Sequence, residues 1–286
     1  MASSPRALPK LTDRLPLGAT GRQVSPFCIG MVPDPDVVAA AFEAGINFFF
    51  ISADMHWPLY EATRYGLAQL LASRPAVRDE IVVGIVSYAT QPEFCSAPFR
   101  EVIELTPHLG YMDLAIAGGA YAHEIDQRLA VYNRHRAGAF LGTVSLGVSF
   151  HDRSAVIPLF DRGVIDIGFV RYNPMFPKAA TALLPQVRDD HPLLYNFKST
   201  TGWMPRDQLL AVGVEDDCWH PHHTDYYRFA LAEPAFDGIL CSLPAPAAVR
   251  ELADAMAKGP LDETDRQYLL DLAELGRGKA NLLRAE

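Results

Sequence analysis

The sequence predicts a single (β/α)8 barrel of the TIM type, and three observations predict it. Short apolar runs alternate with amphipathic stretches, eight strand-sized runs fall between Pro26 and Leu243, and each is followed by a helical segment. Eight such units favour a closed barrel over an open doubly wound sheet. The chain of 286 residues, 49% hydrophobic and 21% charged, is too apolar to be disordered. Barrels of this class run to about 250 residues as one domain, so one domain over 1–286, with its core over roughly 15–275, is the expectation.

Leu15 to Val24, with Gly18 and Gly21 between apolar residues, reads as a hairpin plugging the barrel floor. Pro26 to Met31 is the first strand. Asp34 then offers an N-cap to a helix through Val37–Phe42 that Gly45 ends. Asn47 to Ile51 is the second strand, with a helix around Tyr60 to Leu71, and Ile81 to Val86 the third, with a helix near Pro98 to Leu105. Met112–Ile116 and Thr143–Val148 follow as strands, with helices Ile125–Arg136 and Ala155–Arg162. Strands Ile167–Arg171 and Leu193–Phe197 precede helices Ala179–Arg188 and Thr224–Leu231. The eighth strand is Gly238–Leu243, its helix Ala247–Lys258, and Asp262 to Leu275 is an extra C-terminal helix.

With 25 basic against 34 acidic residues, a net charge of −9 and no basic stripe, nucleic acid and anionic membrane are disfavoured as partners. A small molecule is the expected partner. The four cysteines, Cys28, Cys95, Cys218 and Cys241, form no CxxC pair, which fits a reduced, cytoplasmic chain. Met1 to Lys10 lacks the apolar run of a secretory signal, and no apolar stretch approaches the roughly 20 residues that span a bilayer. No strand is followed by GxGxxG or GxxxxGK[ST], so neither a Rossmann turn nor a phosphate loop is supported.

In a (β/α)8 barrel the chemistry sits on the loops after the strand C-termini. The second loop, Ser52-Ala53-Asp54-Met55-His56-Trp57-Pro58-Leu59-Tyr60, places a carboxylate, an imidazole, an indole and a phenol within nine residues. Asp54 can orient Tyr60 as a proton donor, and His56 can join a proton relay or a metal site. The plainer alternative has Trp57 and Tyr60 packing on the next helix while Asp54 caps it.

Several stretches together resemble the aldo-keto reductases: Leu17 to Ser25, Ala44-Gly45-Ile46-Asn47-Phe48-Phe49, the Asp54 to Tyr60 loop, Gly147-Val148-Ser149 and Arg171-Tyr172-Asn173. Asp225 to Leu231 and Gly259 to Asp262 are similar to a bacterial subgroup of that family. The resemblance runs from about Leu15 to Leu275. It implies an extended NADPH or NADH across the barrel mouth and carbonyl reduction by hydride transfer, with a tyrosine acid supported by an aspartate, a lysine and a histidine. Asp54 matches the aspartate. Tyr60 matches the tyrosine, one residue further on than the usual spacing. The lysine belongs at the end of the third strand, where Ile81 to Tyr88 has none. The histidine belongs after the fourth, where Asp113 to Gly119 offers only small residues. Loss of both should cost several powers of ten in ordinary carbonyl reduction, because the lysine lowers the tyrosine's pKa and the histidine orients the carbonyl.

On the cofactor side the family's Ser-Asn is Ser149-Phe150, its strand-six glutamine falls near Phe169, and the loop Cys241 to Ala248 is poor in the charges that a 2′-phosphate needs. Arg250 remains close, or else is a solvated helix residue, and Tyr195 or Trp203 can stack on a nicotinamide or equally belong to the core. Trp57, Tyr60, Tyr88, Tyr121 and Trp203 would suit an apolar or aromatic substrate. Lys198 can replace the lost positive charge or form a Schiff base, with a salt bridge as the simpler role. His220, His222 and His223, facing Asp54 and His56 across the opening, offer a set for zinc or iron or else a solvated loop, and His123 and His151 are further donors.

Three readings follow: a divergent reductase using Asp54, Tyr60 and His56; a cofactor-free or metal-assisted lyase, cyclase or isomerase in the same mouth; and a non-catalytic binding protein.

Overall fold

In a computed structural model of the chain, residues 7–91, 93–137, 142 and 145–282 are described. Residues 1–6, Thr143 and Val144, used in the reading above, lie outside them. The first elements form an antiparallel hairpin, β1 (Leu15–Pro16) with β2 (Gln23–Val24). Eight strands then close a parallel barrel: β3 (Phe27–Ile29), β4 (Phe48–Ser52), β5 (Val82–Ser87), β6 (Leu114–Ala120), β7 (Ser145–Phe150), β8 (Ile167–Arg171), β9 (Leu193–Phe197) and β10 (Gly238–Cys241), with β10 returning to pair with β3.

Helices α1 (Asp36–Glu43), α2 (Glu61–Ser73), α3 (Ala97–Glu104), α4 (Ile125–Ala137) and α5 (Val156–Asp161) follow the first five barrel strands in turn. They are succeeded by α6 (Ala179–Ala182), α7 (Arg206–Ala211), α8 (His223–Leu231), α9 (Ala247–Ala257) and α10 (Glu263–Leu282). The expected helix over 179–188 is cut short. Pro185 lacks an amide hydrogen and disfavours helical backbone at the residue before it, so α6 gives way to a 3-10 turn over Leu184–Gln186. Helix α7 was not anticipated, and α10 outruns its expected end. No helix among the described residues is long and apolar enough to cross a membrane.

Strand side chains alternate between two cores. One set points into the barrel and joins the hairpin residues Leu17 and Val24 in a fully buried plug that includes Phe48, Val82, Leu114, Ile116, Ile167 and Tyr195. Four large rings fit because small residues face them. A β-carbon on Gly84 would lie 3.5 Å from Phe48, and one on Gly238 would lie 2.5 Å from the Tyr195 ring. Phe50 and Phe169, one layer higher and 5.4 Å apart edge to face, close the interior beneath the mouth. The other set packs against the helices in the larger core. At about 25 cal/mol per Å², burial of these two cores is the main term opposing chain entropy.

Candidate active site at the barrel mouth

Above Phe50 and Phe169 lies a cavity of about 480 Å3, lined among others by Met31, His56, Tyr60, Tyr88, Gly118, Gly119, Tyr121, Ser149, Phe197 and Lys198. Its position at the strand C-termini is where a barrel of this class carries chemistry. Of the sequence-predicted residues, Tyr60, His56, Tyr88, Ser149 and Lys198 meet here.

Tyr60 ends a 3-10 turn over Trp57–Tyr60 that leads into α2, and its ring rests 5.9 Å from Phe50. Its hydroxyl has no hydrogen-bond partner among the described residues. Burial, with smaller effects from Tyr88 and Cys28, pushes the phenol well above its ordinary range. It therefore stays protonated and presents a free donor to whatever occupies the cavity.

Asp54 does not touch Tyr60. Its carboxylate accepts from Ser87 Oγ (2.6 Å), the Tyr88 amide (2.8 Å), the Ala89 amide (3.2 Å) and the Met55 amide (2.7 Å). The aspartate thus clamps the third loop to the second, and it acts on the mouth by fixing where Tyr88 begins. Tyr88 stands one residue past β5, where the resemblance calls for a lysine, and its ring meets His56 edge to face at 4.8 Å. Burial and then Asp54 push its phenol up to about 12, while Arg128 pulls the other way.

Arg128 was not singled out in the sequence, and only its burial within a helix gives it away. Fully buried, it donates to Ser87 O (2.7 Å) and Gly118 O (2.9 Å), tying together the ends of β5 and β6 under the mouth. Where the resemblance calls for a histidine, the end of β6 leaves little room for a side chain. Strand β6 shifts register between Ala117 and Ala120, Gly119 has a φ of +62°, and the Tyr88 ring fills the space above Gly118.

Other expectations need correction. Tyr195 is a layer too deep: it is fully buried in the barrel plug and donates to Ser25 O at 2.6 Å, so it cannot stack on a ligand in the mouth. The strand period that made it inward-facing puts Phe197, not Tyr195, in the cavity wall. Trp57 turns outward, 44% exposed, with the Arg64 guanidinium 4.9 Å from its ring. Arg250 lines a groove between residues 7–12 and helices α1 and α9, and does not reach the mouth. Trp203 lines an adjoining cleft of about 540 Å3 that shares Met31, Leu59, Thr200 and Ser242 with the mouth. Its indole donates to Pro221 O at 3.0 Å.

Among the described residues the histidines form no common donor set with Asp54 or His56. His222 caps α8, its Nδ1 2.9 Å from Thr224 Oγ1, while Asp225 accepts from the His222 amide at 2.9 Å. Potential ligand atoms of His222, His223 and Glu251 lie within 4.8 Å of one another, a two-histidine, one-carboxylate donor set whose glutamate the sequence reading missed. Its His223 is pushed down to about 4 by burial and then by His222, so this imidazole is neutral. His220 stands outside that set, its Nε2 buried without a partner. His123 stacks loosely on Tyr121 at the rim.

The mouth and the adjoining cleft are contiguous through four shared residues and mainly apolar, which suits a long ligand with one ring in the mouth. Among the described residues the cleft holds no lysine or arginine to receive a 2′-phosphate.

No family model matches the sequence, and no curated protein matches it either. Solved structures do match in shape. An aldo-keto reductase from Bacillus halodurans superposes in its holo form with a TM-score of 0.69 at 15% identity, over 91% of this chain and 96% of that one. Its apo form gives 0.65 at 15% identity over the same shares. A Pseudomonas aeruginosa protein assigned to the aldo-keto reductases gives 0.63 at 16% identity, over 87% of this chain and 97% of that one. The chain thus shares the closed (β/α)8 barrel fold of these aldo-keto reductases.

Proposed function

We propose that the chain is a divergent oxidoreductase of the aldo-keto reductase kind, acting on a carbonyl-containing small molecule in the barrel mouth. The observation that carries this reading is the Tyr60 hydroxyl, free of protein partners in the wall of a cavity that also holds His56 and Tyr88. A nicotinamide, when bound, supplies a hydride to the carbonyl carbon. Ser149 and Phe197 would hold its ring on the β7 and β9 side, and the adjoining cleft under Trp203 would take the rest.

Tyr60 donates a hydrogen bond to the carbonyl oxygen and passes its proton as that oxygen becomes an alkoxide. An alkoxide is more basic than any phenolate, so the transfer remains downhill even from a phenol made less acidic by burial. Proton transfer of this kind contributes about 10²–10⁴-fold. Tyr88 and His56 border the carbonyl, and Asp54 is a positioning residue that sets Tyr88. Without a lysine beside it, Tyr60 is a slower acid than the family's tyrosine, which fits a substrate whose carbonyl is already electron-poor.

The same observation gives weight to a second reading, in which the mouth runs acid-base chemistry without hydride. Both phenols lie above their ordinary range, Tyr88 in spite of the opposing pull of Arg128, which suits hydrogen-bond donation in a lyase, cyclase or isomerase. Turnover of a screened substrate by the Tyr60→Phe and His56→Ala proteins separates the two. The reductase reading expects NADH oxidation to fall about a hundredfold or more in Tyr60→Phe. Turnover that needs no nicotinamide, and that His56→Ala alone abolishes, belongs to the second.

A further inference from the structure

Beside the mouth, at the ends of β7, β8 and β9, a small recess of about 80 Å3 is lined by Phe150, His151, Arg153, Arg171, Phe197 and Lys198. It opens onto the mouth through the three residues that line both, His151, Phe197 and Lys198. Three basic side chains, Arg153, Arg171 and Lys198, converge there in a chain whose net charge is −9. None of them forms an ion pair or a side-chain hydrogen bond with a described residue. Nine arginines elsewhere, such as Arg22, Arg78 and Arg228, have a carboxylate within ion-pair distance, while Arg14, Arg64, Arg250 and Arg277, also without one among the described residues, do not converge as these three do. The cations also feel one another: burial and then Arg171 depress Arg153, and burial followed by Lys198 and Arg171 depresses His151. Assembling like charges without a counter-charge is unfavourable, and a bound anion removes the cost.

The surroundings hold the cations in place. Lys198 has a φ of +57°, a left-handed backbone that is rare for a residue with a β-carbon. The side chain of Asn173 holds it there, donating from Nδ2 to Lys198 O at 2.7 Å. The same amide accepts from the Phe176 backbone at 2.9 Å, and the Phe176 ring carries the Arg171 guanidinium at 4.0 Å. One buried asparagine thus fixes the backbone of Lys198 and of the residue whose ring carries Arg171.

We propose that Arg153, Arg171 and Lys198 form an oxyanion subsite that takes a carboxylate or phosphate group of the substrate while its carbonyl lies against Tyr60. The recess has the volume of two or three waters at about 30 Å3 each, enough for one such group and too small for a whole molecule. The assignment of the anion to the substrate rests on the reductase reading above. The binding site itself does not.

The test is calorimetric titration of the full chain with inorganic phosphate and, separately, with acetate, at matched ionic strength. It is run on the wild type, Arg171→Gln and Lys198→Gly, each with and without saturating NADH. Glycine tolerates the +57° backbone, so Lys198→Gly removes the charge while melting at the same temperature or higher. The proposal expects saturable binding of one oxyanion, weakened about tenfold or more by either substitution and unaffected by NADH. Tighter phosphate identifies a phosphorylated substrate, tighter acetate a carboxylated one. Equal affinities in wild type and both variants, or no binding up to about 100 mM, would overturn it. Phosphate displaced by NADH would give the recess to the cofactor and overturn the assignment to substrate. Phosphate binding without any NADH binding would fail the reductase reading alone.

Discussion

The Tyr88 ring lies directly on Gly118: a β-carbon at that glycine would sit 2.8 Å from Tyr88 Cε1, and 2.6 Å from Val86 Cγ2. The two positions are those at which the resemblance calls for a lysine and, nearby, a histidine. At these two positions the mouth holds one phenol and the gap that admits it.

Gly118→Ala should therefore destabilise the protein by about 1–3 kcal/mol, the usual cost of overpacking. The remedy is specific. In a Tyr88→Ala background the ring is gone, so the cost of Gly118→Ala should shrink, leaving the clash with Val86. A double-mutant cycle on urea midpoints checks this, and additive effects would mean that the ring and the glycine do not share that space.

Asp54→Asn should act on stability before it acts on chemistry. An amide offers one oxygen where the carboxylate meets Ser87 Oγ and three backbone amides, and it turns an NH2 toward donors. We expect a loss of about 2 kcal/mol and a shift in the environment of Tyr88, visible in near-ultraviolet circular dichroism. A variant of unchanged stability and spectrum would show that the clamp carries no weight.

The barrel was legible because strands buried on both faces read as short apolar runs, and helices with caps and a 3.6-residue period read between them. Strands Ile167–Arg171 and Leu193–Phe197 match residue for residue. The mouth was only half legible. The position of a residue after a strand places it near the opening, which brought in Tyr60, His56, Tyr88, Ser149 and Lys198. Height along the barrel axis and rotation about a turn are set by packing, which a single sequence does not display. Tyr195 thus falls a layer low, Trp57 faces outward and Arg250 lands in another groove. Arg153 and Arg128 carry no motif. Their surroundings emerge only when β5 to β9 close side by side.

The buried phenols give stability a basic limit. Burial and then Asp54 hold Tyr88 at about 12, and burial and then Asp225 hold Tyr226 at about 12, against an unfolded value near 10. The folded state keeps protons that the unfolded state releases between those values. This contribution is therefore fully present below about pH 10 and is lost as pH rises through about 12. Urea midpoints should hold steady up to about pH 9 and then fall, with phenolate absorbance rising together with unfolding. Complete phenolate titration in a still-folded protein would contradict these buried sites.

Cofactor choice should follow the absence of lysine and arginine from the cleft under Trp203. NADH should bind at least as tightly as NADPH, since a 2′-phosphate finds no partner there and loses hydration. NADPH tighter by about tenfold, or 1.4 kcal/mol, would mean that a cation outside this cleft reaches the adenosine end.

The most direct test of the central claim is titration of the purified protein with NADH, followed by quenching of tryptophan fluorescence, since Trp203 lines the cleft that would hold the dinucleotide. The account predicts saturable binding in the micromolar range, retained in Tyr60→Phe and weakened when Trp203 is replaced by alanine. No binding up to about 1 mM, a free energy weaker than roughly −4 kcal/mol, would contradict it and leave the mouth to chemistry without hydride.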